Sequence, residues 1–276
     1  MSTATVCLTF DFDAVSLWLH PDPARRSPAN YSRGRFGAEV AAPRLLDLLA
    51  ELGVSTTWFI PGHTIDSFPS VCADVVDDGH EVGHHGWSHT RPSDYPSRRA
   101  ERRDVARATA AIEDLTGAEP RGYRSPSWDH SPHTIDILLE AGFDWDSSLM
   151  ARDFTPTFVR RDESAPLDGP YDPGEPTDLL ELPVSWQRDD FPPLGYTGGG
   201  WVADEAAVFT AWRRQFDWMV DNVDAGVFVL TFHPQVIGQA HRLGRLHDLI
   251  AHMQDRPGVR FRTMSAAAVA ARDRHS

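Results

Sequence analysis

At 276 residues the chain exceeds the commonest domain size but suits an α/β barrel, so residues 1–276 are expected to form a single catalytic domain. Its 26 basic residues, all arginine, face 40 acidic ones, and a formal charge of -14 has the wrong sign for a phosphate-backbone binder. The absence of lysine excludes Schiff-base chemistry and the P-loop, and no apolar run approaches the roughly 20 residues of a membrane helix, so neither nucleic acid nor membrane is an expected partner.

Apolar runs rich in β-branched and aromatic residues predict strands at Val6 to Phe12, Ser55 to Ile60, His80 to His84, Phe143 to Ser147, Leu180 to Val184 and Val227 to Phe232. Helical patterns lie between them. Ala38 to Leu52, Pro69 to Asp78, Ser97 to Leu115 and Ser131 to Ala141 are closed by Gly53, Gly79, Gly117 and Gly142. Asp204 to Val223 and Gly238 to Arg256 also read as helices, followed by a short strand at Arg260 to Thr263 and a closing helix at Ser265 to Arg274. Strand-helix alternation requires parallel strands joined by crossover helices, and a distorted barrel fits it best. Leu19 to Arg35 and Phe154 to Asp178 break the pattern and are expected to be loops, either shaping the substrate pocket or decorating the surface.

The two cysteines, Cys7 in an apolar run and Cys72 in a helix, read as buried thiols rather than a bridge. With no basic and apolar leader at Met1 to Thr5, a reducing, cytoplasmic location is expected.

Thr9-Phe10-Asp11-Phe12-Asp13 places two carboxylates at the end of an apolar strand, and period-two alternation sends Asp11 and Asp13 to one side. Burial there demands a cation; otherwise the segment is a solvated strand end. Four histidines crowd His80-Glu81-Val82-Gly83-His84-His85-Gly86-Trp87-Ser88-His89. His85 and His89, four apart with Gly86 to permit a bend, can meet one ion, while His84 should point elsewhere. With Asp13 they make a three-ligand set that leaves zinc or another divalent ion open to water and substrate. His233, after the strand Val227 to Phe232, puts an imidazole at another strand end facing the same mouth, where its ordinary pKa of about 6.5 suits proton transfer at neutral pH.

Taken in order, residues 9–13, His-Gly-Trp-Ser-His at 85–89, Arg-Ser-Pro-Ser-Trp at 124–128 and Leu-Thr-Phe-His-Pro at 230–234 resemble the motifs of the polysaccharide deacetylase (NodB-like) family. The resemblance implies a distorted (β/α) barrel, one divalent metal ion, zinc by preference, on Asp13, His85 and His89, Asp11 as general base and His233 as general acid. It further implies that Arg124 pairs with the base, that Trp128 lines the pocket, and that a backbone amide near Trp128 joins the metal in an oxyanion hole. An aspartate should orient the acid histidine, and Asp146, Asp189 and Asp190 each qualify. Glu81 is a further substrate-binding candidate. Asp189-Asp190-Phe191-Pro192, with His241 and Arg242, is similar to the intracellular branch of the family.

The expected activity is metal-dependent hydrolysis of a non-peptide carbon-nitrogen bond, by deacetylation of an N-acetylated sugar or related compound. A small cyclic amide or imide, as in allantoinase-like relatives, is the alternative substrate: the missing export signal favours it, whereas the retained His89 resembles the deacetylases. Outside that class stand an inactive carbohydrate-binding or scaffold protein and a two-carboxylate glycosidase. The latter fails because Asp11 and Asp13, two apart on one strand, cannot flank a sugar from opposite sides. A small-molecule or oligosaccharide substrate is the expected partner, and a homo-oligomer is compatible with the sequence.

Overall fold

The computed structural model describes residues 4–19, 26–195 and 203–275. Among the described residues nine strands form one sheet: β1 (Ala4–Asp11), β2 (Thr57–Ile60), β3 (Glu81–His84), β4 (Gly122–Tyr123), β5 (Trp145–Asp146), β6 (Thr157–Arg161), β7 (Glu175–Glu181), β8 (Val227–Phe232) and β9 (Val259–Phe261). Their order is β6-β7-β5-β4-β3-β2-β1-β8, with β9 also pairing to β1. Every pairing is parallel except β6 with β7.

Side-chain parity sorts the two faces. Val6, Leu8, Phe10 and Phe12 pack outward with helix residues such as Leu45, Phe216 and Ile250, and Phe228, Leu230 and Phe232 of β8 join them. Cys7 turns inward with Phe59, Trp145, Leu180, Val229 and Met264. Thr9 and Asp11 share the parity of Cys7, so a carboxylate at the end of β1 must lie inside. All eight residues of β1 are buried, as a parallel strand covered on both faces requires.

The sheet curls. Arg124, just past β4, bonds Asp11 of β1 at 2.8 Å although β3 and β2 lie between. Three strand spacings would span about 14 Å in a flat sheet, beyond the reach of one arginine. The segment after β7 returns to β8 through a parallel bridge between Asp189 and Thr231. The result is a mixed α/β half-barrel, in agreement with the distorted barrel expected. Helix Met264–His275 covers the amino end, where Ser265 accepts from the Trp145 indole at 3.0 Å. At Gly122 a Cβ would fall 1.9 Å from that indole, so the close approach of β4 to Trp145 tolerates only glycine.

The expected helices form with ends shifted by a few residues: Ala42–Leu52, Pro69–Asp77, Arg98–Thr116, Thr134–Glu140, Glu205–Asn222 and Ala240–Gln254. Gly37–Ala41 is a π-helical entry to the first of these. Both expected loops carry structure. In the first, Pro28–Phe36 is a helix capped by Ser27, whose side chain accepts from Asn30 N; positions 20–25 lie outside the described residues. Its polar composition gave no apolar period, and only the Ser-Pro start signalled it. In the second, β6 and β7 make an antiparallel hairpin at the sheet edge, paired from Arg161 with Glu175 to Thr157 with Glu181, and β7 starts at Glu175 rather than Leu180. Two-residue β4 and the short helix Gly62–Ser67 were not expected.

Candidate active site

Four strand ends converge on one point. Asp13 lies two residues past the end of β1, with its side chain completely buried and both carboxylate oxygens without a hydrogen-bond partner. His85 follows β3 directly. His84, one residue earlier, faces the other way: Gly86 N donates to its Nδ1, Val105 O receives its Nε2 proton at 3.0 Å, and burial pushes its pKa down to about 4. The turn after His85 needs left-handed backbone at Gly86 (φ 66) and again at His89 (φ 55), which folds the second imidazole back toward the first.

The tautomer of His85 is set by its neighbour. Its Nδ1 lies 2.8 Å from the Arg124 carbonyl, which can only accept, so in the neutral ring Nε2 carries a lone pair. That lone pair is buried, has no partner, and sits 3.4 Å from Asp13 Oδ1 and 3.9 Å from Asp11 Oδ2. His89 Nε2 is 3.7 Å from the same Asp13 oxygen. One ligand atom from each of Asp13, His85 and His89 falls within a 4.8 Å span. Acceptors facing acceptors in a dry site are costly unless a cation lies between them, and these side chains therefore fit a divalent ion. Burial alone would raise the Asp13 pKa, but His89, His85 and His233 outweigh it and bring it down to about 2.

Arg124 spends its donors on orientation. Nη1 reaches Asp11 Oδ1 at 2.8 Å and Thr9 Oγ1 at 2.7 Å, Nε reaches Ser147 O at 3.1 Å, and Nη2 reaches Ser147 Oγ at 3.0 Å. The guanidinium lies over the Phe59 ring, 4.1 Å from its centroid. Asp11 is thus held by one oxygen while Oδ2 faces His85.

His233 follows β8. Asp190 accepts from both its backbone N and its Nδ1, at 3.0 and 2.8 Å, and Nε2 points to within 4.0 Å of Asp13 Oδ2. Burial would depress the His233 pKa, yet Asp189 and Asp190 raise it to about 10. Burial is also the main cause that lifts Asp189 to about 7. Of the three aspartates considered for orienting His233, the geometry selects Asp190. Asp189 contributes from 3.5 Å, while Asp146 is elsewhere, accepting from Ser148 at 2.7 Å and lying 3.3 Å from His130.

A cavity of about 240 Å³ opens between these groups, walled by Asp11, Asp13, His89, Trp128, Trp186 and Phe191 among others. Trp128 stands there as expected, with Ser127 and Trp128 both left-handed (φ 57 and 52). The Trp128 amide already donates to Ser125 O at 3.0 Å, so it is not a free oxyanion donor. Trp186 was not foreseen; its ring lies 4.4 Å from that of Trp128 and is half exposed. Its only sequence signal is a tryptophan three residues before Asp189.

Glu81 is not brought to the site. It opens β3 at the amino end, accepting from Thr57 Oγ1 at 2.6 Å and from Ser265 N at 3.1 Å, with the strand's full length between it and His85. His241 is exposed beside Glu205, and the buried Arg242 donates to Val236 O.

Residues 2–145 match the family model described as "Polysaccharide deacetylase". A peptidoglycan deacetylase from Helicobacter pylori is 38% identical over 274 residues, covering 94% of this chain and 92% of that protein. A solved Mycobacterium smegmatis protein, assigned as a polysaccharide deacetylase, is 34% identical with a TM-score of 0.85, covering 99% of this chain and 92% of that one. The solved Puue allantoinase, 18% identical, shares the fold with a TM-score of 0.80 over 99% of this chain and 92% of its own.

Proposed function

The chain belongs to the polysaccharide deacetylase family, and on that premise we propose that it hydrolyses the amide of an N-acetylated sugar to acetate and a free amine. The carrying observation is the set of unpartnered, buried ligand atoms on Asp13 and His85, with His89 beside them. Family members are metal-dependent. Here Asp13, His85 and His89 hold one ion, zinc in this proposal because two imidazoles and a carboxylate are a common catalytic zinc set. Bound there, the ion supplies Lewis acidity toward the amide carbonyl and toward water.

The chain's own groups do the proton work. Asp11, fixed through Oδ1 by Arg124, offers Oδ2 to take a proton from the attacking water. The water oxygen adds to the carbonyl carbon, and the carbon-nitrogen bond breaks as the nitrogen takes a proton from His233 Nε2. Asp189 and Asp190 favour the doubly protonated imidazole, the form that has an Nε2 proton to give while Nδ1 stays bonded to Asp190. Trp128 and Trp186 present aromatic faces to the sugar.

The same proposal treats the chain as one catalytic unit, since β8 and β9 from its last third flank β1. It also places the protein in the cytoplasm. Cys7 and Cys72 are free and buried, with thiol pKa values raised mainly by burial, and no described helix is long and apolar enough to cross a membrane.

Metal-loaded protein should release acetate from N-acetylglucosamine or its oligomers and leave hydantoin, succinimide and allantoin intact. Ring opening of a cyclic amide without acetate release overturns the proposal, as does full metal occupancy with no turnover of any N-acetylated sugar.

A further inference from the structure

On the helix-facing side of the sheet, two carboxyl groups that the reaction above does not use face each other. Asp146 and Glu181 are register partners on β5 and β7, in a row that runs from Tyr123 on β4 to Thr157 on β6. Both are buried, and they lie in hydrogen-bonding contact. Glu181 Oε1 accepts from the backbone N of Ser148 and of Leu149, at 3.1 and 3.0 Å, and Asp146 Oδ1 accepts from Ser148 Oγ at 2.7 Å. As a pair of carboxylates they would leave the remaining oxygens, Oε2 and Oδ2, buried without a hydrogen-bond partner. One proton resolves this. Two like charges in contact in a dry site cannot both persist, and a proton on Glu181 Oε2 makes it a donor to Asp146 while Oε1 stays the carbonyl that the two amides need. Burial and Asp146 raise the Glu181 pKa well above the ordinary carboxylate range; against burial, His130, Glu181 and Ser148 hold that of Asp146 below it.

The pair reaches the active site through Ser148. An ionised Oδ1 can only accept, so the Ser148 hydroxyl gives its proton there and turns a lone pair to Ser125 N, 2.9 Å away. Ser125 O in turn accepts from Trp128 N at 3.0 Å. Ser127 and Trp128 are both left-handed, a conformation that persists only where its surroundings enforce it, and Trp128 walls the catalytic cavity.

We infer that Glu181 holds a proton at neutral pH and shares it with Asp146, and that the two act through Ser148 as the positioning group for the turn at 125–128. That this turn serves a sugar rests on the deacetylase reading; the shared proton does not. The titratable groups facing the pair are Tyr123 on β4, with Glu101 and Asp104 of helix Arg98–Thr116 acting on it, and His130, whose Nε2 is 3.3 Å from Asp146 Oδ2.

Glu181→Gln keeps the donor and the acceptor of the protonated acid but cannot titrate. An acid that is protonated when folded and ionised when unfolded makes stability fall as pH rises, from its unfolded pKa to its folded one. In urea titrations at fixed zinc, the native unfolding constant relative to that of Glu181→Gln should therefore rise about tenfold per pH unit above about pH 5, until Glu181 ionises. A ratio that stays constant from about pH 5 to 8 overturns the shared proton. Ser148→Ala cuts the link to the turn. Hydrogen exchange at Ser125 N should quicken about tenfold, and KM for an N-acetylglucosamine oligomer should rise about fivefold with kcat within twofold. Unchanged exchange, or a loss carried by kcat alone, overturns the positioning role. If no N-acetylated sugar is turned over, the deacetylase reading falls, while the stability ratio and the exchange still decide this inference.

Discussion

Asp11 and Arg124 form an ion pair with both side chains buried, and removing one partner should hurt more than removing both charges. Arg124→Met strips four hydrogen bonds and leaves the Asp11 carboxylate uncompensated inside the barrel. Breaking a buried pair this way costs about 3 to 5 kcal/mol, which for a chain of this size lowers Tm by about 10 °C. Asp11→Asn keeps an acceptor for Arg124 but gives up the charge and the base, and its kcat should fall about 10²- to 10⁴-fold. The double variant Asp11→Asn, Arg124→Met carries no uncompensated charge, so it should be more stable than the sum of the singles predicts, by about 2 kcal/mol. Its activity should be no worse than that of Asp11→Asn alone, because an arginine that orients a base has nothing left to orient. Urea titrations at fixed zinc concentration, with kcat/KM for an N-acetylated oligosaccharide, complete the cycle. Strict additivity in both stability and activity would refute the reasoning and return Arg124 to a packing role.

Chelation should abolish activity and lower Tm, and one equivalent of zinc should restore both; binding at a hundredfold excess over Kd stabilises by about 2.7 kcal/mol, so an unchanged Tm on zinc addition contradicts the Asp13, His85 and His89 site. In metal-free protein, Asp190→Asn should be most destabilising near and below pH 6.5 and progressively less so toward pH 10. The sign follows from the folded pKa of His233, about 10 and above its ordinary value: the stabilisation is complete below the unfolded pKa and lost as pH rises through the folded one, and a pH-independent difference between native and variant would exclude it. Trp186→Ala should raise KM several-fold with kcat within twofold; a fall in kcat alone would mean the ring acts on the chemistry instead of the sugar. Gly122→Ala must displace Trp145 and should cost about 3 kcal/mol by denaturant titration, whereas a neutral effect would show that β4 and the indole are not in close contact.

What the sequence disclosed of the fold follows hydrophobic content. β1 and β8 bury every residue, and their mainly apolar sequences, broken by Thr5, Thr9 and Asp11 in β1 and by Thr231 in β8, mark them. β5 forms inside the strand expected at Phe143 to Ser147, whereas β4, two residues long, is too short to show a period, and helix Pro28–Phe36 packs through close approach rather than an apolar stripe: a Cβ at Gly34 would meet Ala14 O at 2.7 Å. The site was legible where chemistry sits within a few residues of a recognisable strand end, as for Asp11, Asp13, His85, His89 and His233, whereas Arg124 follows the unexpected β4 and was marked only by its family motif. Sequence proximity failed for Glu81. Four residues of extended chain carry about 13 Å, enough to move a carboxylate from the mouth of a barrel to its floor.

Asp190 posed the opposite difficulty, because nothing local distinguishes it from Asp189 or Asp146. Its place depends on Thr231, whose bridge to Asp189 sets the register that brings the next carboxylate onto His233. Asp190 N donates to Thr231 O at 3.1 Å, and the Asp190 side chain then accepts from the backbone N of His233, so the backbone of one strand end positions the acid and its partner together. Such a contact joins residues more than forty positions apart and leaves no periodic trace. The same logic extends to the cavity walls: Leu17, Trp186 and Phe191 lie on segments outside the main strands, and they meet only because the curled sheet brings its β1, β7 and β8 ends around one opening. Curvature, which Arg124 reports by spanning two intervening strands, is therefore the physical property on which both the reaction and the substrate's path depend.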